Sequence, residues 1–334
     1  MKKLRVRQIS ESAFTVKGHG VHTMFVETVR ALESRNDVSV SMNTRGNFDV
    51  THIHTIGSYS LFYLIFGSGR KVVSAHVVPD SFVGSLVAAK YWLWAAKLYV
   101  RWFYNRADLV VAVSDQTKRE LESLGVKRPI ETVYNMIDTR AYGATSQQRA
   151  NARAKLQLRD TDWAIIGAGQ VQPRKRVDSL VDAVKGHDEL TGIWVGGMPF
   201  GKAASDSSKM QTMINTAPSN MRFPGIVSLE EMKQYYWASN VFFLPSIQET
   251  FGLVVVEAAA SGLPIILRDI PDYEETFSNY AIMVNDETTY TEIEKLRSDN
   301  SYYKKYQEKS AQLAARYDSR RIVEELVTIY KRLL

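Results

Sequence analysis

Cysteine is absent from this sequence. Neither a disulfide framework nor a thiolate metal site can therefore be built, and a reducing compartment is the default expectation. No uninterrupted apolar run reaches the ~18 residues that a membrane-spanning helix requires. The opening Met1-Lys2-Lys3-Leu4-Arg5 is basic but lacks the apolar stretch of a signal peptide, so a cytoplasmic location is expected. There is no low-complexity tract and no internal repeat beyond two similar halves, which argues against a long disordered segment. The dinucleotide-binding fingerprint is also incomplete. Gly18-His19-Gly20 follows the first apolar strand, but the third glycine of that motif is missing.

What is present fits a globular enzyme. The 334 residues are 45% hydrophobic, enough for two domains with full cores. The net charge of +6 is uneven: residues 1 to 145 hold 19 Lys and Arg against 12 Asp and Glu, and the remainder holds 23 against 24. Such an excess on the first half points to an anionic partner there, with scattered solubilising charge as the plain alternative. Residues 86 to 106 place seven aromatic side chains among Lys90, Lys97, Arg101 and Arg106. A helix carrying Trp92, Trp94 and Trp102 beside Lys90, Lys97 and Arg101 suits the interface of an anionic bilayer, although a core helix would also be rich in aromatics. Single-stranded nucleic acid prefers aromatics on a sheet or barrel face, so no nucleic-acid partner is expected.

Short apolar strands alternate with helical periodicity along the whole chain, the pattern of parallel sheets. Asp49 to Thr55 reads as a strand with His52 and His54 on one face, where a strand-end role is favoured over a metal site. Lys71 to Ser81 is a strand ending in a polar cluster with His76 and Asp80, and strand ends are where such sheets hold ligands. Thr139 to Arg159 is a polar linker with a lead-in helix. Asp160-Thr161-Asp162 spells a metal motif, but its place in a charged linker marks it as a solvated loop. Arg174, Lys175 and Arg176 form a cationic strand-to-helix loop able to neutralise a diphosphate. The most specific stretch is Ser246 to Pro264. There a buried strand runs into a turn carrying Glu249, and an Ala-rich helix starts near Gly252 and stops at Gly262-Leu263-Pro264. Glu257 lies about one and a half turns inside that helix. Phe251, Gly252 and Leu253 offer backbone N–H groups to phosphate at its positive end, although an acid there also serves as a simple cap.

This stretch, with its two glutamates, the Phe-Gly-Leu insert and the following Gly-Leu-Pro, resembles the signature of retaining glycosyltransferases of GT-B architecture. The resemblance covers nearly the whole chain and is strongest from 163 to 271. It implies an α/β fold of two Rossmann-like domains with parallel sheets facing across a cleft: residues 1–140 on the acceptor and membrane side, a linker at 141–160, a nucleotide-sugar domain at 161–315, and a helix at 316–334 crossing back to the first domain. It implies that Glu249 contacts the donor sugar and that His76 is directed toward the transferred sugar. Glu257 would meet the ribose, Val227 the base, and Arg174, Lys175, Gly18, Gly20, Thr250, Phe251, Gly252 and Leu253 the rest of the donor, with Asp80 and His19 on the acceptor side. Gln170 stands where the family usually has arginine, and Arg176 where it has glycine. Arg268-Asp269-Ile270-Pro271, the early Val-Lys-Gly-x-Gly and the aromatic helix resemble the members that add hexoses to diacylglycerol or glycosyl-diacylglycerol. The implied enzyme transfers a hexose from a UDP-sugar to a membrane lipid without a required metal or other cofactor, peripherally bound to the inner face of the cell membrane. The alternatives are a glycosyltransferase acting on a soluble, polysaccharide or protein-linked acceptor, and a nucleotide-sugar epimerase on the same fold.

Overall fold

The computed structural model describes residues 3–14, 20–76, 89–198 and 207–334. Gly18, His19 and Asp80 lie outside that set, as do the side chains of Lys90 and Trp92. The chain divides into two compact units, one made of residues 1–83, 88–138 and 317–334, the other of 84–87 and 139–316.

The first unit runs β1 (Leu4–Ile9), α1 (Gly20–Glu33), β2 (Val38–Met42), β3 (Val50–Ile53), α2 (Ser58–Phe66), β4 (Arg70–Ala75), α3 (Ala89–Tyr104), β5 (Leu109–Ala112), α4 (Asp115–Ser123) and β6 (Ile130–Thr132). Its strands form a parallel sheet in the order β2-β1-β3-β4-β5-β6. Strands covered on both faces read as continuous apolar runs, and Leu109-Val110-Val111-Ala112 is buried at every position. The chain direction of the order reverses between β1 and β3, so their carboxyl ends flank the crevice where a doubly wound sheet takes ligands.

The second unit runs α5 (Ser146–Lys155), β7 (Trp163–Ala168), α6 (Val177–Val184), β8 (Leu190–Val195), α7 (Ser207–Thr216), β9 (Met221–Gly225), α8 (Leu229–Ala238), β10 (Val241–Leu244), α9 (Leu253–Ala260), β11 (Ile265–Arg268), β12 (Ile282–Val284), α10 (Thr289–Ser298) and α11 (Asn300–Arg316). The sheet is again parallel, ordered β12-β11-β10-β7-β8-β9, with its reversal between β7 and β10. Local chemistry sets the helix starts. Thr145 with Gln148 caps α5 and Ser228 with Glu231 caps α8, each as a reciprocal capping box. The stretch 141–160 thus contains a capped helix, and α5 packs on α8.

The last helix, α12 (Ser319–Arg332), belongs to the first unit. Asp318 caps it, and Ile322, Val323, Leu326, Val327 and Tyr330 bury a stripe of helical period, with α1 among its contacts. Among the described residues no helix is long and apolar enough to cross a membrane.

The Asp160-Thr161-Asp162 expectation needs correction. Asp162 is buried, and its two oxygens accept from the Arg159 backbone N–H at 2.8 Å and the Arg159 Nε at 2.7 Å. It clamps the turn into β7 and is not a solvated loop residue.

Candidate functional site

The second unit's reversal point brings two separate loops together. The loop after β7 carries Arg174 and Lys175, and the loop after β10 carries Glu249. The Ile247 N–H donates to the Arg174 carbonyl at 2.9 Å, and Arg174 Nη1 donates to the Gln248 carbonyl at 3.0 Å. Lys175 Nζ is hydrogen-bonded to Glu249 Oε1, and Arg174 Nη1 lies 3.8 Å from Oε2. The side chains of Lys175 and Glu249 are 9% and 8% exposed.

Burial by itself would raise the Glu249 carboxyl, but the charges of Lys175 and Arg174 outweigh it and hold the group below its ordinary value. Burial pulls the Lys175 ammonium down, opposed by Glu249. A carboxylate held between two cationic side chains is a weak nucleophile and a good hydrogen-bond acceptor.

The chain permits this approach through particular residues. Gly169 follows β7 at φ +139°, a backbone conformation that strains any other residue, and a Cβ there would stand 3.2 Å from Lys175 Cε, close enough that the lysine would have to shift. Gly252 adopts φ +85° as the N-cap of α9, turning the chain so that Leu253 begins the helix. Phe251 and Leu253 are buried and Thr250 is half-buried. Glu257, at 5% exposure, accepts from Tyr236 Oη at 2.8 Å. Val227 lies half-buried between β9 and α8.

Some participants were not assigned in advance. Asp272 Oδ2 accepts the Glu249 backbone N–H at 2.7 Å, fixing the turn that aims the glutamate. Burial, reinforced by the nearby Glu249 charge, raises the Asp272 carboxyl. Gln172 bonds Gln170 through Nε2 and takes the Arg174 Nε at 3.2 Å through Oε1. Gln170 thus sits at one end of a side-chain bridge that steadies Arg174. Arg176 takes φ +47° without a glycine and is held by Asp178 and Asp286 at 2.9 and 3.3 Å.

The first unit's reversal point collects a different chemistry. His54 follows β3, and His76 follows β4. His54 Nδ1 is 3.3 Å from His76 Nε2, and their rings stack 5.5 Å apart. His52 and His54 are fully buried and stacked at 4.4 Å. Burial holds His52 down to about 3 and His54 well below the ordinary imidazole value. Beside them is a small cavity, with room for about one water, lined by Ser74, Asn135 and Met24 among others. The Asn135 Oδ1 is buried without a hydrogen-bond partner. Among the described residues no group of three or more His, Cys, Asp or Glu is arranged to hold a metal. Gly20 opens α1 with open space around it.

Helix α3 is two-faced. Val100, Phe103 and Tyr104 enter the core, while Trp94, Leu98, Tyr99 and Trp102 are 67%, 57%, 37% and 39% exposed. Arg101 is exposed, Lys97 is half-buried, and Arg106 lies over the Trp102 ring at 4.9 Å. Neighbouring α2 exposes Phe62, Ile65 and Phe66, and Tyr99 Oη donates to the Ile56 carbonyl at 2.5 Å. Both helices therefore flank one apolar cluster.

Comparison with known proteins agrees with this geometry. Residues 148–313 match the model of glycosyl transferases group 1, and residues 40–141 that of glycosyltransferase family 4. The alpha-galactosylglucosyldiacylglycerol synthase of Streptococcus pneumoniae is 31% identical over 99% of this chain and 90% of its own length. The processive diacylglycerol alpha-glucosyltransferase of Acholeplasma laidlawii is 27% identical over 81% and 80%. Among solved structures, Anabaena HepE with UDP and glucose aligns at TM-score 0.79 and 16% identity, covering 98% of this chain and all of HepE. The sucrose-phosphate synthase of Thermosynechococcus elongatus aligns at 0.81 and 16%, covering 99% of each chain. These two share the fold alone. With two parallel six-stranded sheets and a relative alike from end to end, the chain belongs to the group 1 glycosyltransferases of GT-B architecture.

Proposed function

We propose that this glycosyltransferase moves a hexose from a UDP-sugar, with retention of configuration, onto a membrane glycolipid, glucosyl-diacylglycerol, giving a diglycosyl-diacylglycerol. The observation that carries this reading is the buried Lys175–Glu249 pair beside the start of α9, in a chain similar over its length to a galactosylglucosyldiacylglycerol synthase.

The bond between sugar C1 and the β-phosphate oxygen breaks, and the acceptor oxygen bonds C1 on the same face. The acceptor proton passes to the departing phosphate oxygen. Charge grows on the diphosphate, where Arg174, Lys175 and the N–H groups of Phe251, Gly252 and Leu253 meet it. Those fixed cations and dipoles take the part that a divalent ion plays elsewhere, so transfer is expected to persist in EDTA. Glu249 orients sugar hydroxyls, since an ion-paired carboxylate accepts hydrogen bonds better than it attacks carbon. Glu257 is assigned to the ribose, Val227 to the base and His76 to the transferred sugar. The exposed face of α3, with Lys97 and Arg101 beside Trp94 and Trp102, is assigned to an anionic bilayer at the inner face of the cell membrane.

The test is mass spectrometry of products from UDP-glucose and UDP-galactose with diacylglycerol, glucosyl-diacylglycerol and soluble sugar acceptors. Glycosylated lipid is expected, lost in Glu249→Ala. Modification of soluble sugars alone would sink the lipid assignment, and conversion of the donor without any acceptor would make the protein an epimerase.

A further inference from the structure

We propose that Phe14 and the exposed face of α2 form a second bilayer-contacting element, which together with α3 seats the first unit on an anionic leaflet beside the carboxyl ends of β1 and β3. The inference rests on the reading of α3 as a membrane surface, and it extends that surface to the loop that opens the first unit's crevice.

The composition of α2 is the starting point. Ser58–Phe66 holds no charged residue, yet Phe62, Ile65 and Phe66 are 49%, 45% and 71% exposed. Phe14, on the short segment after β1, is 67% exposed. These rings are joined, not scattered. Phe14 meets Tyr59 edge-on at 5.6 Å, Tyr59 meets Tyr63 at 5.0 Å, Tyr63 meets Phe62 at 5.4 Å, and Phe62 meets Phe66 at 5.3 Å. One run of aromatic contact therefore extends from the carboxyl end of β1 along the whole of α2, about 13 Å of helix, with buried Tyr63 anchoring it in the core. A contiguous exposed apolar surface of this kind marks a contact site.

The same side of the sheet carries α3. The chain steps from β3 through β4 to β5 in one direction, so right-handed crossovers put α2 and α3 on one face, and both helices bury residues in one cluster. Glu11 accepts the N–H groups of Gly57 and Ser60, each at 3.0 Å, and fixes the start of α2. Tyr99 of α3 donates to the Ile56 carbonyl just ahead of it. The exposed rings of the two helices are thus held in one fixed surface. Helix α1 steps the other way, from β1 to β2, and lies with α12 on the opposite face.

Charge selects the occupant. Between residues 50 and 107 stand Arg70, Lys71, Lys90, Lys97, Arg101 and Arg106 against a single acid, Asp80. A second copy of the chain would set this positive surface against itself. An anionic leaflet offers acyl chains to the rings and phosphates to the cations.

Because the chain has no cysteine, single cysteines in the full-length protein can each carry an environment-sensitive dye. Phe14→Cys and Phe66→Cys probe the proposed element, Trp94→Cys probes α3, and Thr328→Cys, on the exposed side of α12, is the reference. With vesicles of phosphatidylglycerol and phosphatidylcholine, the dyes at 14, 66 and 94 are expected to shift to the blue and to be quenched by spin-labelled acyl chains, and the dye at 328 to stay aqueous. A dye at 14 or 66 that stays aqueous while the one at 94 moves overturns the proposal and leaves α3 as the contact. An equal shift at 328 overturns it as unspecific adsorption. A shift at 66 that needs no vesicles and grows with protein concentration overturns it in favour of a dimer interface. Silence at 94 together with 14 and 66 would instead sink the membrane reading on which it rests. Unlabelled Phe14→Ser/Phe66→Ser is expected to weaken co-sedimentation with the same vesicles roughly tenfold or more, with the melting temperature held, since both rings stand in solvent. Unchanged co-sedimentation in that variant also overturns the proposal.

Discussion

At the scale of residues, the Lys175–Glu249 pair couples stability to chemistry. Removing one partner of a buried ion pair strands the other charge, which costs about 3–5 kcal/mol, whereas replacing both with apolar groups is often close to neutral. Lys175→Met is therefore expected to lower the unfolding free energy of the second unit by about that amount in urea titrations. The double variant Lys175→Met/Glu249→Leu should regain much of it and remain inactive. A double variant no more stable than the single one would show that a stranded buried charge is not what destabilises Lys175→Met. The glutamate itself was legible in the sequence because Phe251-Gly252-Leu253 and the glycine–proline stop surround it. Its partners were less so. Lys175 lies 74 positions away and Asp272 lies 23 away, and sequence distance says nothing about which strand ends a parallel sheet sets side by side. Arg176 was visible as a departure from glycine. Its tolerance of a left-handed backbone depends on Asp178 and Asp286, and the latter belongs to a loop beyond β12.

At the scale of elements, periodicity marked the strands that lead to the site and several of the helices, because parallel strands read as apolar runs and helices as stripes; β2, α8, α10 and β12 were not singled out. The order β2-β1-β3 was not legible, since the choice of edge for β2 leaves no trace in its own residues. Helix α3 shows the limit most plainly. Aromatic residues and cations alone fit both a core helix and an interfacial one, and the structure shows one buried and one exposed face: Phe103 and Tyr104 are buried, Trp94 and Trp102 are not. Burying a large apolar side chain is worth about 1.5–3 kcal/mol. Substituting Trp94 and Trp102 with Ser is thus expected to weaken co-sedimentation with anionic vesicles by at least about tenfold while leaving the melting temperature within a degree or two, because neither ring packs in the core. Binding should also fall in high salt as Lys97 and Arg101 are screened. Vesicle binding unchanged in the double variant would remove α3 as the contact surface.

At the scale of the whole molecule, the first unit is discontinuous. Residues 317–334 complete it after the second unit has intervened. Ile322, Val323, Leu326, Val327 and Tyr330 are each at most 3% exposed, and at about 1.5–3 kcal/mol apiece their burial rivals the total stability of a domain, about 5–15 kcal/mol. A chain ending at Arg316 is therefore expected to lose protease resistance in residues 3–138 and keep it in residues 139–316, as read by limited proteolysis with mass spectrometry. Equal resistance in both halves would show that α12 is dispensable to the first fold. The arrangement has a consequence for synthesis. Domains usually fold in the order in which they leave the ribosome, but here the earlier-made half waits for the later one. Until residues 319–332 emerge, α1 has no cover from α12 and Gln8 no partner in Tyr330, so the nascent chain carries an unfinished first half through the time needed to make the second. A chaperone that holds exposed apolar surface would find its substrate in that interval.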